Sequence, residues 1–287
     1  VSSRNKNEIV ESHNAIIQGL AKDGGLFTPE NINIHINVDE LTNLSYQQIA
    51  TKVIHAFLDD FTEEEISSSV NQAYDNKFDT EEIVPLHKIE DAYLMELYHG
   101  PTSAFKDIAL TLLPHLLIQS YNKENRHDTI SILTATSGDT GKAALSGFAD
   151  VKHTAITVFY PEVGVSQVQK KQMQTAIGDN VEVIAVKGNF DDCQRMVKEA
   201  TQDPQVLASL HNVTISSANS INVGRLIPQV VYYYSSYCKL VKDGAIQCGD
   251  PVNFVVPTGN FGDILAGYLA YRTGLPVNQL ICASNSN

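Results

Sequence analysis

Positive charge is scarce in this chain. Its 287 residues carry 20 Lys and Arg against 33 Asp and Glu, a formal net charge of −13, and nowhere do five basic residues run together. Nucleic-acid binding needs clustered cations against the phosphates, so the composition argues against a general nucleic-acid surface. An anionic ligand must instead be held by a local, preorganised pocket. Cysteine is sparse too. Cys193, Cys238, Cys248 and Cys282 form no CxxC pair and no short regular spacing, which suggests neither a zinc site nor a disulfide framework and points to the reducing cytoplasm. No apolar run approaches membrane-spanning length, and the polar start "VSSRNKNEIV" has no signal-peptide core. Internal repeats and low-complexity segments are lacking as well.

What is present is ordinary globular composition, 43% hydrophobic and 18% charged, in a chain long enough for two lobes. The chain does not begin with Met and stops at "ICASNSN", directly after an apolar strand-like run. Residues are therefore expected to be missing at both ends.

The first part reads as helices. "EIVESHNAIIQGLA" puts Ile9, Val10, Ile16, Ile17 and Leu20 on roughly one face before the paired glycines of "KDGGLF". "SYQQIATKVIHAFLDDF" and "TEEEISSSVNQAY" are helix-periodic again, with Thr62 and the glutamates after it forming a capping-type start. Beyond about residue 80 the pattern alternates. Strand candidates lie at 92–98, 129–136, 154–160, 180–186, 213–218, 252–258 and 279–284, most of them separated by helical stretches such as "AFKDIALTLLPHLLIQSY" and "VGRLIPQVVYYYSSYCKLV". Val/Ile-rich strands alternating with helices predict an α/β fold of parallel sheets with helices on both faces. The aromatics of "VYYYSSY" are expected in the core.

Ligands of such folds gather where strands end and helices begin. Four of these junctions are rich in glycine and small polar residues: "LYHGPTSAFKD", "LTATSGDTGKA", "ISSANSINVGR" and "VPTGNFGDILAG". The second approaches a nucleotide-binding P-loop, but Thr136 stands in place of its first glycine and Ala143 in place of its metal-binding hydroxyl. What is left is a nest of backbone N–H groups with Thr136, Ser137 and Thr140 at a helix start, suited to a small anion such as a carboxylate; a simple Gly-rich turn is the plain alternative. Gly259 and Gly262 let backbone approach a ligand closely, and the helix behind them offers its positive end to a phosphate. Lys106, usually a solvated residue type, here lies between Phe105 and the apolar Ile108, Ala109 and Leu110, where desolvation and the helix end disfavour the ammonium form. A lysine so tuned suits imine formation with a carbonyl cofactor. Asn219, Ser220 and Arg225 make a second phosphate-type pocket, although Arg225 would equally serve as a surface charge.

Together these segments resemble the threonine synthases, pyridoxal-phosphate enzymes of the tryptophan-synthase-β-like fold. The match runs in order through "QGLAKDGGLFTPE", "ELYHGPTSAFKD", "ILTATSGDTGKAA", "SSANSINVGRLIPQ" and "VPTGNFGD". The resemblance implies Lys106 as the Schiff-base lysine and proton shuttle, and Gly259, Asn260, Phe261 and Gly262 around the cofactor phosphate. It places Thr136, Ser137 and Thr140 at the substrate carboxylate and Asp139 near the cofactor's phenolic oxygen. Two anions there would repel, so a shared proton at Asp139 is expected. Asn219, Ser220 and Arg225 would take the phosphate of O-phospho-L-homoserine, with Asp263 or Lys142 close by. The implied reaction adds water and releases phosphate to give L-threonine, with no metal. The implied layout is a helical region at 1–80, a large cofactor lobe from 81–110 and 223–287, and a small substrate lobe at 111–222. A hydroxy-amino-acid dehydratase of the same fold, and a truncated homologue that only binds ligand, are the alternatives. The family's chains continue further, and the side chain that meets the pyridine nitrogen falls in that part.

Overall fold

The computed structural model describes residues 1–30, 32 and 34–286. Three helices open the chain: α1 (Ser12–Gln18), α2 (Tyr46–Phe57) and α3 (Glu63–Ala73). The first is shorter than its periodic pattern. Gly19, at φ +69°, ends it, and Ile9, in the stretch ahead of it, is 58% exposed. Capping boxes start the other two, Ser45 with Gln48 and Thr62 with Glu65, the second as the sequence predicts. Their apolar faces (Ile49, Val53 and Ile54; Ile66 and Val70) enter one continuous core.

The next elements correct the sequence reading. Strands β1 (Leu86–Ile89) and β2 (Ala92–Met95) form an antiparallel hairpin rather than part of a parallel sheet. A tight turn at Glu90, φ +51°, joins them, and β1, four residues with no apolar alternation, carries too little pattern to read as a strand. The single helix expected over "AFKDIALTLLPHLLIQSY" is two helices, α4 (Asp107–Leu110) and α5 (Leu113–Lys123). Pro114, in the first turn of α5, lacks an N–H and restricts the residue before it, so the chain restarts there.

The central unit runs β3 (Thr129–Ala135), α6 (Asp139–Phe148), β4 (Thr154–Pro161), α7 (Gln167–Gln174), β5 (Val181–Val186), α8 (Phe190–Gln202), α9 (Pro204–Ser209) and β6 (Val213–Ser216). Its four strands are parallel in the order β5-β4-β3-β6. Side-chain alternation divides β3 between two faces. Ile130 and Ile132 join the main core with Ala143, Ala144 and Leu145 of α6 and Met173 of α7, while Leu133 and Ala135 pack against Phe190, Cys193 and Val197 of α8. Helices therefore cover both faces, as expected. The short α9, capped by Asp203, has no counterpart in the sequence reading.

The remainder is α10 (Val223–Lys242), β7 (Val252–Pro257), α11 (Gly262–Arg272) and β8 (Val277–Ala283), with β7 and β8 paired in parallel. Most of α10 is buried, including Tyr232, Tyr233, Tyr234 and Tyr237, so the expectation for "VYYYSSY" holds. It packs against α2, α4 and α11 and is the beam on which the loops of interest converge.

Candidate functional site

The β3–α6 turn is shaped from within. The Thr136 hydroxyl, 2% exposed, accepts the Gly138 and Gly141 N–H groups, each at 3.0 Å. A Cβ on Gly141 would stand 2.5 Å from Thr136 Cγ2 and 2.9 Å from Met173 Sδ, so only glycine allows α6 this close to the sheet. Ser137, Asp139 and Thr140 are the more open residues of the turn. Lys142 is half-buried on α6, and its side chain makes no hydrogen bond or ion pair among the described residues.

Lys106 precedes the short α4, whose Ile108, Ala109 and Leu110 are fully buried, as its apolar setting predicts. Its side chain is 16% exposed; Nζ donates to Asp139 Oδ2 at 2.7 Å and lies 4.5 Å from the centre of the Phe105 ring. The next residue was missed by the sequence reading. Asp107, 1% exposed, accepts from the Thr102 backbone N–H at 2.8 Å and from the Thr102 hydroxyl at 2.6 Å, which folds the "GPTSAFK" loop around the lysine. Burial raises its carboxyl above the ordinary range against the pull of those hydrogen bonds. The signal was an acid in the first helical turn, five residues after a threonine.

Arg225 is 3% exposed. One terminal N–H donates to Ala218 O at 2.9 Å, but its Nε has no partner. Burial lowers its pKa to about 10, opposed by the charge of Asp139. Lys106, Asp139 and Arg225 thus form one electrostatic cluster although they lie far apart in sequence. Asn222, also missed, holds the Arg225 loop. It caps α10 through the Gly224 N–H at 2.8 Å and donates to Ile16 O at 3.0 Å, tying α1 to the site. Asn219 is half-buried and Ser220 exposed beside it.

The fourth junction stands at the end of β7. Gly259, Asn260 and Phe261 are exposed, and a Cβ added at Gly259 or Gly262 would meet nothing within 4 Å. No side chain caps α11, so its first N–H groups are open to an anion. Asp263, expected close to the Arg225 pocket, turns its carboxylate to α10, the helix that bears Arg225. Its Oδ1 accepts the Tyr232 hydroxyl at 2.6 Å and the Tyr233 hydroxyl at 2.8 Å. Among the described residues no His/Cys/Asp/Glu group is arranged to hold a metal ion.

These residues fit pyridoxal phosphate together with a second anionic group. An amine stands against a carboxylate, a glycine junction with an uncapped helix start lies at a strand end, and a buried guanidinium has an unpartnered N–H.

Family models match nearly the whole chain. One described as "Threonine synthase N terminus" matches residues 1–74, and one described as "Pyridoxal-phosphate dependent enzyme" matches residues 79–287. The chain is 40% identical to the threonine synthase of Pseudomonas aeruginosa, in an alignment covering all of this chain and 60% of that protein. Among solved structures it is similar to the PLP-bound threonine synthase of Brucella melitensis, with a TM-score of 0.88 and 36% identity over 99% of this chain and 60% of that one. The yeast threonine synthase gives a TM-score of 0.87 at 34% identity, over 99% and 58%. The chain thus spans about six-tenths of the length of these relatives. With a family model matching most of its length, and a threonine-synthase N terminus ahead of it, the chain belongs to the pyridoxal-phosphate-dependent enzyme family.

Proposed function

We propose that this chain carries the lysine-bearing part of a threonine synthase, which converts O-phospho-L-homoserine and water to L-threonine and phosphate in the cytoplasm. The observation that carries the reading is Arg225, fully buried with Nε unpartnered and electrostatically coupled to the Lys106–Asp139 pair. A buried, incompletely paired guanidinium is costly unless an anion completes it, and a phosphate matches its donors. A dehydratase acting on an unphosphorylated hydroxy amino acid has no use for it.

In this reading Lys106 holds the cofactor, with Asp139 beside it, and Gly259, Asn260, Phe261 and Gly262 surround the cofactor phosphate at the start of α11. When bound, pyridoxal phosphate supplies an electron sink for charge developing on the substrate. The protein's own residues do the rest. Ser137 and Thr140, with the backbone N–H groups of the turn that Thr136 shapes, orient the substrate carboxylate. Lys106 Nζ moves protons, and Asp139 Oδ2, 2.7 Å away, is the acceptor that frees its lone pair. The shared proton expected at Asp139 would be held with the cofactor's phenolic oxygen once the cofactor is bound. Arg225, with Asn219 and Ser220, binds the substrate phosphate and stabilises it as it leaves.

The test is turnover. Supplied with pyridoxal phosphate and O-phospho-L-homoserine, the chain should release threonine and inorganic phosphate in equal amounts. Arg225→Ala should raise KM for this substrate by about tenfold or more, the worth of a charged hydrogen bond. Release of a 2-oxo acid from threonine would select the dehydratase, and binding without turnover the ligand-binding homologue.

A further inference from the structure

The tyrosine-rich helix and Asp263 carry an inference that rests on the reading above and extends it. An acid in the first turn of α11 is favoured by the helix dipole, yet free to face outward it would repel a phosphate at the same helix end. Instead Tyr232 and Tyr233, adjacent on α10, both direct their hydroxyls to Asp263 Oδ1, at 2.6 and 2.8 Å. The Tyr233 hydroxyl also lies 3.1 Å from Asp263 O. Gln229 lies between this pair and Arg225. The Tyr232 hydroxyl lies 3.2 Å from Gln229 Oε1, and Gln229 Nε2 donates to Arg225 O at 2.7 Å. With the one hydrogen of the Tyr232 hydroxyl given to the nearer Asp263, the tyrosine pair ties α10, which bears Arg225, to the turn that follows Gly259–Gly262.

We propose that Tyr232, Tyr233 and Asp263 are positioning residues: the tyrosine pair draws the Asp263 carboxylate away from the anion site and fixes the start of α11 at a set distance from Arg225. Burial, reinforced by the Asp263 charge, holds both phenols far above their ordinary pKa, so both remain donors. The same helix supplies an internal control. The hydroxyl of Tyr234 sits 2.8 Å from Thr273 Oγ1 and 3.3 Å from Ala270 O, fixing the opposite end of α11.

The experiment compares the wild-type chain, Tyr232→Phe/Tyr233→Phe, Tyr234→Phe, Asp263→Asn and Asp263→Ala. Each is titrated with pyridoxal phosphate and with pyridoxal, which lacks the phosphate, and amide hydrogen exchange is followed at Leu265, whose N–H bonds Phe261 O. The double variant and Asp263→Ala should lose about tenfold or more in affinity for pyridoxal phosphate and nothing for pyridoxal, matching the loss of one or two net hydrogen bonds. Their Leu265 amide should exchange faster. Asp263→Asn, which retains an acceptor oxygen, should behave as wild type, and Tyr234→Phe should leave the preference for the phosphorylated form unchanged. A double variant with the wild-type preference and unchanged Leu265 exchange overturns the proposal, as does an equal loss of both ligands, which is general loosening. If the wild-type chain has no preference for the phosphorylated form, the cofactor-phosphate assignment fails instead. Leu265 exchange then still decides the positioning role, being faster if the tyrosine pair holds the helix and unchanged if it does not.

Discussion

At the scale of single residues, open loops are held from beneath by polar groups placed where water is excluded. Asp107 shows the logic. Among the described residues its carboxylate is the only acceptor of the Thr102 N–H and hydroxyl, so it holds the loop from which Lys106 projects. Asp107→Ala should cost about 2 kcal/mol in chemical denaturation, since it strands buried donors; a variant as stable as wild type would remove its role. Legibility divides at this scale. Lys106, Asp139 and the glycines of the loops stand out as candidates because their residue types sit in contiguous stretches. The partners of Asp263 were not readable, because Tyr232 and Tyr233 are about thirty residues distant and their sequence context says only "core". Asn222 was hidden in the same way, its partner Ile16 O belonging to the opposite end of the chain.

At the scale of elements, hydrophobic pattern gave the strands of the central sheet to within a residue or two, because Val/Ile runs admit few other readings. It failed where local stereochemistry overrides pattern: at Pro114, which splits α4 from α5, and at the Glu90 turn, which makes an antiparallel hairpin. Packing between elements is stricter than pattern. A Cβ on Gly147 of α6 would stand 2.0 Å from Leu110 O of α4. Gly→Ala inside a helix ordinarily stabilises by up to about 1 kcal/mol. Here the sign should reverse, with Gly147→Ala destabilising by about 2–3 kcal/mol through overpacking against backbone. Because α4 begins directly after Lys106 and α6 begins at Asp139, the same change should lengthen the 2.7 Å pair and weaken cofactor capture. Thermal melting and a pyridoxal phosphate titration check the two parts separately.

At the scale of the whole molecule, one core joins the N-terminal helices to the rest, and a histidine clamp reinforces the junction. His13 Nδ1 lies 2.5 Å from Asp60 Oδ2 and Nε2 lies 2.6 Å from Glu124 Oε1, which links α1, the α2–α3 turn and the end of α5. Burial disfavours its charged form, but hydrogen bonds and charges from Glu124 and Asp60 outweigh it and raise the pKa. His115 is the opposite case, lowered to about 4 by burial and by the charge of Lys77, with Asp75 opposing. The signs follow by linkage. The His13 contribution is full below pH 6.5 and is lost as pH rises through its raised value. The His115 contribution is present above 6.5 and is lost as pH falls towards 4. Denaturation across this range should therefore show His13→Gln flattening the alkaline side and His115→Gln the acid side. Neither slope changing would contradict the assignment.

The central claim is that the four junctions form one cofactor site anchored on Lys106. Its most direct test is to add pyridoxal phosphate, reduce with borohydride to fix any lysine adduct as a secondary amine, and map the labelled peptide by mass spectrometry. The account predicts a single major label on Lys106, abolished in Lys106→Ala and diminished by competing inorganic phosphate. A label on Lys142, or one spread over surface lysines and indifferent to the Lys106 substitution, would contradict it.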